Sequence, residues 1–228
     1  MNTLKQRYQK IKQEVQQLSE QFNHKQSALL LAVSKRHPTE KIRELFSYGQ
    51  HCFGENYLQE ALEKIEELSD LNIEWHFIGP IQSNKTKAIA ENFNWVHSVD
   101  RTKIATRLNN HLEGTGKQLN ICLQINLNKE PQKSGFLIED ILQQFPQLLK
   151  LNHLNIRGLM AIPEHTDDPI KQAENFRLLK QMLDKLNQQF DLNMDTLSMG
   201  MSGDMTAAIQ EGSTIIRIGT AIFGAREH

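Results

Sequence analysis

Short apolar or β-rich runs recur eight times along this chain of 228 residues, at 28–33, 51–54, 74–78, 95–99, 119–127, 155–160, 196–199 and 214–218. Between them lie stretches with apolar residues at steps of three and four, such as Ile42, Leu45 and Phe46, or Leu58, Ala61, Leu62, Ile65 and Leu68. That spacing lines one face of a helix. A run apolar at every position suits a strand buried on both faces, and parallel strands need a crossover segment after each one. No Pro/Gly/Ser-rich linker divides the chain. The pattern therefore predicts an α/β fold, a single (β/α)8 barrel of TIM type over residues 1–228, in which closure removes the sheet's edges. An open doubly wound sheet is the alternative, because periodicity does not separate closed from open. Ahead of the first strand, Leu4, Tyr8, Ile11, Val15, Leu18 and Phe22 predict an amphipathic helix whose stripe covers something.

Charge narrows the range of partners. Lys and Arg number 26 against 27 Asp and Glu, so no global field draws the chain to nucleic acid or to an anionic membrane. The N-terminal stretch MNTLKQRYQKIKQEVQQLSE is polar and of mixed charge, without the apolar centre of a signal peptide, and no segment approaches a membrane span. A cytoplasmic protein is expected, with no nucleic-acid and no membrane partner. Cys52 and Cys122 stand far apart, each in an apolar run, and are expected to be buried thiols in a reducing compartment.

In a barrel the chemistry gathers where the strands end. The first run, in ALLLAVSKRHP, passes from six apolar residues into Ser34 and Lys35. Asn56 follows the second run in CFGENYLQE, His76 sits in the third in EWHFIG, and Arg217 lies in the eighth in TIIRIGTAIFG. Two segments suit a phosphate. SMGMSGDM places Gly200, Ser202 and Gly203 between a strand and a helix expected over 204–210, and GTAIFG repeats the device with Gly219 and Thr220. Either loop alone is more simply a turn. Together, after strands seven and eight, they favour a phosphate site. A lysine across the mouth from it suits a Schiff base with pyridoxal 5′-phosphate (PLP), its proton loosened by desolvation and by Arg36 and His37. A snorkelling surface lysine is the ordinary alternative. Arg217, inside an apolar strand, must be paired. The residues leave two partners equally open, a pyridine nitrogen or a carboxylate from a neighbouring strand.

These pieces carry a resemblance. AVSK, FGENYLQE, WHFIGPIQSNK, KSG at 133–135, GLMAIP and SMGMSGDMTAAIQEGSTIIRIGTAIFGAR span nearly the whole chain in order, and the chain resembles the pyridoxal phosphate homeostasis protein family, PLP proteins with the barrel of the alanine racemase N-terminal domain. The resemblance implies that Lys35 forms the aldimine, that Ser202, Gly219 and Thr220 hold the phosphate, beside the loop glycine Gly203, and that Arg217 faces the ring nitrogen. Asn56 and His76 match positions lining the same mouth. One departure is RHP after Lys35, where many members carry TKP or a similar run.

The resemblance also implies a carrier and regulator of PLP and amino-acid pools without established catalysis; PLP-dependent apoenzymes are the expected recipients, and a monomer is expected. The chain stops ten residues after Ile218, so no C-terminal β-domain is expected to close the mouth or lend a second acid/base group. Tyr57 in GENY is the nearest candidate for such a group, and a packed aromatic at a helix start explains it more simply. A racemase-like amino-acid-processing enzyme is the alternative, disfavoured by that missing domain. An interaction module with a structural cofactor is a third, which pull-down of apoenzymes would separate from the carrier. Other signals carry less. GTGK at 114–117 lacks the upstream glycine of a P-loop, His111 standing in its place, and the nine histidines include no i, i+4 pair, so neither a nucleotide nor a metal site is expected. PEHTDD at 163–168 and QSNKTK at 82–87 suit a solvated loop and a solvated helix start.

Overall fold

In a computed structural model the described residues are 3–22, 24–130 and 132–225. Helix α1 (Leu4–Gln21) precedes the first strand, β1 (Leu29–Val33). Then follow α2 (Thr39–Ser47), β2 (Cys52–Glu55), α3 (Leu58–Glu67), β3 (Glu74–Phe77), a short 3-10 turn (Ser83–Lys85), α4 (Thr86–Asn92) and β4 (Trp95–Val99). The second half continues with α5 (Thr102–Leu112), β5 (Leu119–Gln124), α6 (Ile138–Leu148), β6 (Leu154–Met160), α7 (Pro169–Phe190), β7 (Thr196–Ser198), α8 (Met205–Gln210), β8 (Ile215–Ile218) and α9 (Thr220–Phe223). The strands pair in sequence order, all parallel, and β8 returns to β1 with Leu31 opposite Arg217. The barrel is closed, and the open sheet is set aside. Strand β5 ends earlier than the run at 119–127 suggested. Beyond Gln124 the chain leaves the ladder for an isolated bridge between Ile125 and Phe136.

Each strand shows two faces. Ala32, Phe53, Phe77, Val96, Leu123, Leu159 and Ile218 point outward and join the core shared with the helices. The residues between them point into the lumen, where Trp95, Cys122 and Met160 form a small apolar cluster of their own. The stripe of α1 is buried at Leu4, Tyr8, Ile11 and Val15, and the helix starts on a capping box between Thr3 and Gln6. Arg7 of α1 donates to the carbonyls of Ile222 and Phe223 at 2.7 and 3.1 Å, tying the helix to α9. Among the described residues no helix is long and apolar enough to cross a membrane. Cys122 is buried and Cys52 only half-buried, because it enters β2 at the barrel's N-terminal mouth. Burial pushes both thiols up to about 12.

Candidate functional site

At the C-terminal mouth a cavity of about 350 Å³ brings together Lys35 from the end of β1, Asn56 from the end of β2 and Arg217 from β8. Ser202 and Gly203 before α8, and Gly219 and Thr220 at α9, complete its far wall. Seven of the eight residues expected from the sequence thus share one cavity. The eighth, His76, does not line it. His76 is fully buried one layer down, between Glu74 at the opposite mouth and Ile78, which does line the cavity. Alternation along a strand fixes the face a residue takes but not its depth, so an inward residue two positions before the rim belongs to the packed interior. A larger cavity, about 590 Å³, lies against α1 at the N-terminal end, but the lysine and the two glycine loops are not there.

The segment carrying Lys35 is clamped on both sides. The buried Ser34 donates its hydroxyl to Glu55 at 2.7 Å, and Arg36 donates its backbone N–H to Glu60. Lys64 on α3 joins the two carboxylates, at 2.7 Å from Glu55 and 2.6 Å from Glu60, and also donates to the Ser34 carbonyl at 2.8 Å. Burial raises the pKa of Glu55 despite the opposing pull of Lys64. Arg36 sits at φ 60°, a left-handed conformation uncommon outside glycine, and this turns its guanidinium outward over the Tyr57 ring, 5.3 Å from the centroid. Of the two cationic neighbours expected beside Lys35, only His37 lines the cavity, stacked on Phe223 at 4.8 Å.

The opposite wall is shaped by backbone. Gly200, at φ 94°, has room for no side chain, since a Cβ there would lie 2.5 Å from that of Ala208. Asp204 accepts from the Met201 amide at 2.6 Å and folds the loop back on itself. Among the described residues the amides of Ser202 and Gly203 donate to no backbone carbonyl. A Cβ on Gly203 would meet nothing within 4 Å, so the loop presents bare backbone with open space beside it. Two exposed hydroxyls, Ser202 and Thr220, flank that space.

Arg217 is 5% exposed and is held by neutral groups, Ser198 Oγ at 2.8 Å and the Ala161 carbonyl at 3.1 Å. No carboxylate among the described residues forms an ion pair with it, so the carboxylate partner left open by the sequence is not what the fold supplies. Burial lowers its pKa to about 10, with Asp204 acting the other way. Asn56 Oδ1 is buried without a hydrogen-bond partner, on the wall of the same cavity at the end of β2. An amine, an orphaned acceptor, a guanidinium and a hydroxyl-lined backbone loop around one cavity fit a planar aldehyde with a ring nitrogen and a phosphate arm. Lys133 and Ser134, from the KSG match, line an adjoining cavity of about 260 Å³ that shares Asn56 and Ile78. One group of metal-type ligands also comes together, Cys52, Glu74 and His76 with ligand atoms within 4.8 Å, but it lies at the other mouth and its imidazole is engaged by Glu74.

The family model of the alanine racemase N-terminal domain matches residues 7–227. The pyridoxal phosphate homeostasis protein of Pasteurella multocida is 48% identical over 99% of both chains. That of Pseudomonas aeruginosa is 54% identical over 87% of this chain and 85% of its own. The solved structure of PipY from Synechococcus elongatus with PLP bound is 38% identical, with a TM-score of 0.81 over 91% of this chain and all of that one. Alanine racemase from Corynebacterium glutamicum shares only the fold, at 17% identity and a TM-score of 0.70, and this chain spans 60% of it.

Proposed function

The chain belongs to the family of the pyridoxal phosphate homeostasis proteins and carries the alanine racemase N-terminal domain, and from that premise we propose that it binds PLP at the C-terminal mouth and takes part in PLP and amino-acid homeostasis as a carrier. Lys35 supplies the amine, Ser202 and Gly203 with Gly219 and Thr220 hold the phosphate, Arg217 meets the ring nitrogen, and Asn56 lines the same cavity. The cofactor supplies an aldehyde that condenses reversibly with an amine. The observation that carries the reading is the placement of Lys35 and Arg217 on one cavity whose far wall is the pair of glycine loops.

The finer reading is of a single-domain, cytoplasmic, monomeric carrier that hands PLP to PLP-dependent apoenzymes and does not turn over amino acids. Its support is the position of the candidate acid/base groups. Tyr57 is 45% exposed beneath Arg36, Cys52 lies at the opposite mouth, and Cys122 is sealed in the lumen. An arginine opposite the ring nitrogen also keeps that nitrogen unprotonated and weakens the ring as an electron sink.

Borohydride treatment of the PLP-loaded protein, followed by peptide mapping, is expected to leave a pyridoxyl group on the peptide containing Lys35. Its absence there, or its presence only on another lysine, overturns the site. Incubation with L- and D-amino acids is expected to give no product while PLP passes to an added apoenzyme. Steady turnover that disappears in Lys35→Ala overturns the carrier.

A further inference from the structure

Four side chains behind Arg217 form an unbroken line across the lumen. Ser198 on β7 meets His97 Nδ1 on β4 at 2.7 Å, His97 Nε2 meets His76 Nδ1 on β3 at 2.9 Å, and His76 Nε2 meets Glu74 Oε1 at 2.8 Å. Strands β4 and β7 are not neighbours in the sheet, so the contact between His97 and Ser198 crosses the barrel interior. Ser198, His97 and His76 are fully buried, while the Glu74 side chain is 44% exposed at the N-terminal mouth.

We propose that Glu74, His76, His97 and Ser198 are positioning residues for Arg217, forming a one-way hydrogen-bond relay that holds the guanidinium as a cation facing the ring end of the cofactor cavity. The direction follows from its two ends. A guanidinium only donates, so Ser198 Oγ accepts from Arg217 and has its own proton to give to His97 Nδ1. A carboxylate only accepts, so His76 donates from Nε2 to Glu74 and its Nδ1 takes the proton of His97 Nε2. Both imidazoles are then neutral, both carry the proton on Nε2, and every donor points towards Glu74. Burial lowers the pKa of both histidines, most for His97, and the bond from His76 holds Glu74 below the usual carboxylate range. The charged groups near the relay are Arg157, from β6, beside Glu74, and Asp204 beside Arg217; the Cys52 thiol also contacts Glu74. Aligned dipoles that present their negative ends to Arg217 stabilise its charge without a carboxylate at the cavity floor, where an anion would repel a phosphate ester.

The assignment of what Arg217 faces rests on the proposed PLP site, whereas the relay itself does not. The test is 15N NMR of histidine-labelled full-length protein, with the two resonance sets assigned by His76→Gln and His97→Gln. Neutral Nε2–H forms of both rings near pH 7.5 are expected. A proton on His97 Nδ1, or a doubly protonated ring at that pH, overturns the relay. In a second arm, Ser198→Ala is expected to lower PLP affinity about tenfold, to shift the absorbance of bound PLP and to split the His97 signal between tautomers, and Ser198→Thr, which keeps the hydroxyl, is expected to restore all three. An unchanged His97 signal and unchanged PLP absorbance in Ser198→Ala overturn the positioning role. If the unsubstituted protein takes up no PLP, the cofactor site fails while the tautomer measurement still decides the relay.

Discussion

On the outer face of the eight strands, Phe53, Phe77, Val96, Leu159 and Ile218 meet the helices through carbon alone. On the inner face of the same strands, His76, His97, Ser198 and Arg217 meet one another through hydrogen bonds of 2.7 to 2.9 Å. Both faces exclude water, but they do different work. Apolar packing is non-directional and stabilises in proportion to area, so the shell sets how firmly the barrel stands. A buried polar line is directional and fails when one member is lost, so the lumen sets where a charge sits.

The largest effect expected from this contrast is in the shell. Phe145→Ala, on the fully buried face of α6, should cost about 3–5 kcal/mol of stability in urea unfolding. PLP affinity per folded molecule should stay unchanged, and a parallel loss of affinity would dissolve the distinction between shell and lumen. Next comes a polar intrusion between strand and helix. Lys64→Ala leaves Glu55 buried without its cation and should cost about 3 kcal/mol, and it also loosens Ser34 on one side of Lys35. Borohydride labelling at Lys35 should therefore fall at equal PLP saturation, an outcome not expected of Phe145→Ala.

A smaller effect separates the two faces by pH. Burial holds both lumen histidines below their ordinary value of 6.5, so below that pH the unfolded chain binds protons that the folded chain refuses. Their contribution is present above about pH 6.5 and is lost as pH falls towards the lowered folded values, by up to about 1.4 kcal/mol per unit for each histidine. Unfolding curves measured at successive pH values should show this limb flattened in His97→Gln, and a limb of unchanged slope would remove His97 from the account. The smallest effect is at the surface. Arg43→Gln breaks an exposed pair with Asp70, and its melting temperature should stay within experimental scatter at 0.15 M salt.

What the sequence made legible follows the same division. Runs such as ALLLAV announce strands because carbon-rich burial leaves a pattern in residue type, and eight of them with helices between pointed to a barrel, whose closure only the pairing of β8 with β1 establishes. The glycine loops were legible because their conformations restrict residue type, as at Gly200. Depth inside the lumen leaves no such mark, which is why His76 was expected at the mouth. The clamp by Glu55, Glu60 and Lys64 also went unseen, since GENYLQEALEK spaces its charges like any solvated helix start. His97 lies in WVHSV, where a histidine between apolar neighbours gives no sign of a partner 101 residues away.

The bonds from Arg7 to the carbonyls of Ile222 and Phe223 join positions 215 and 216 residues apart. During synthesis on the ribosome, at about 5–20 residues per second, α1 emerges roughly 10–40 s before the segment it grips. Through that interval the stripe of Leu4, Tyr8, Ile11 and Val15 lacks α8 and α9 as partners, and the turn at Gly219 and Thr220 cannot be braced by α1 until α9 itself has been made.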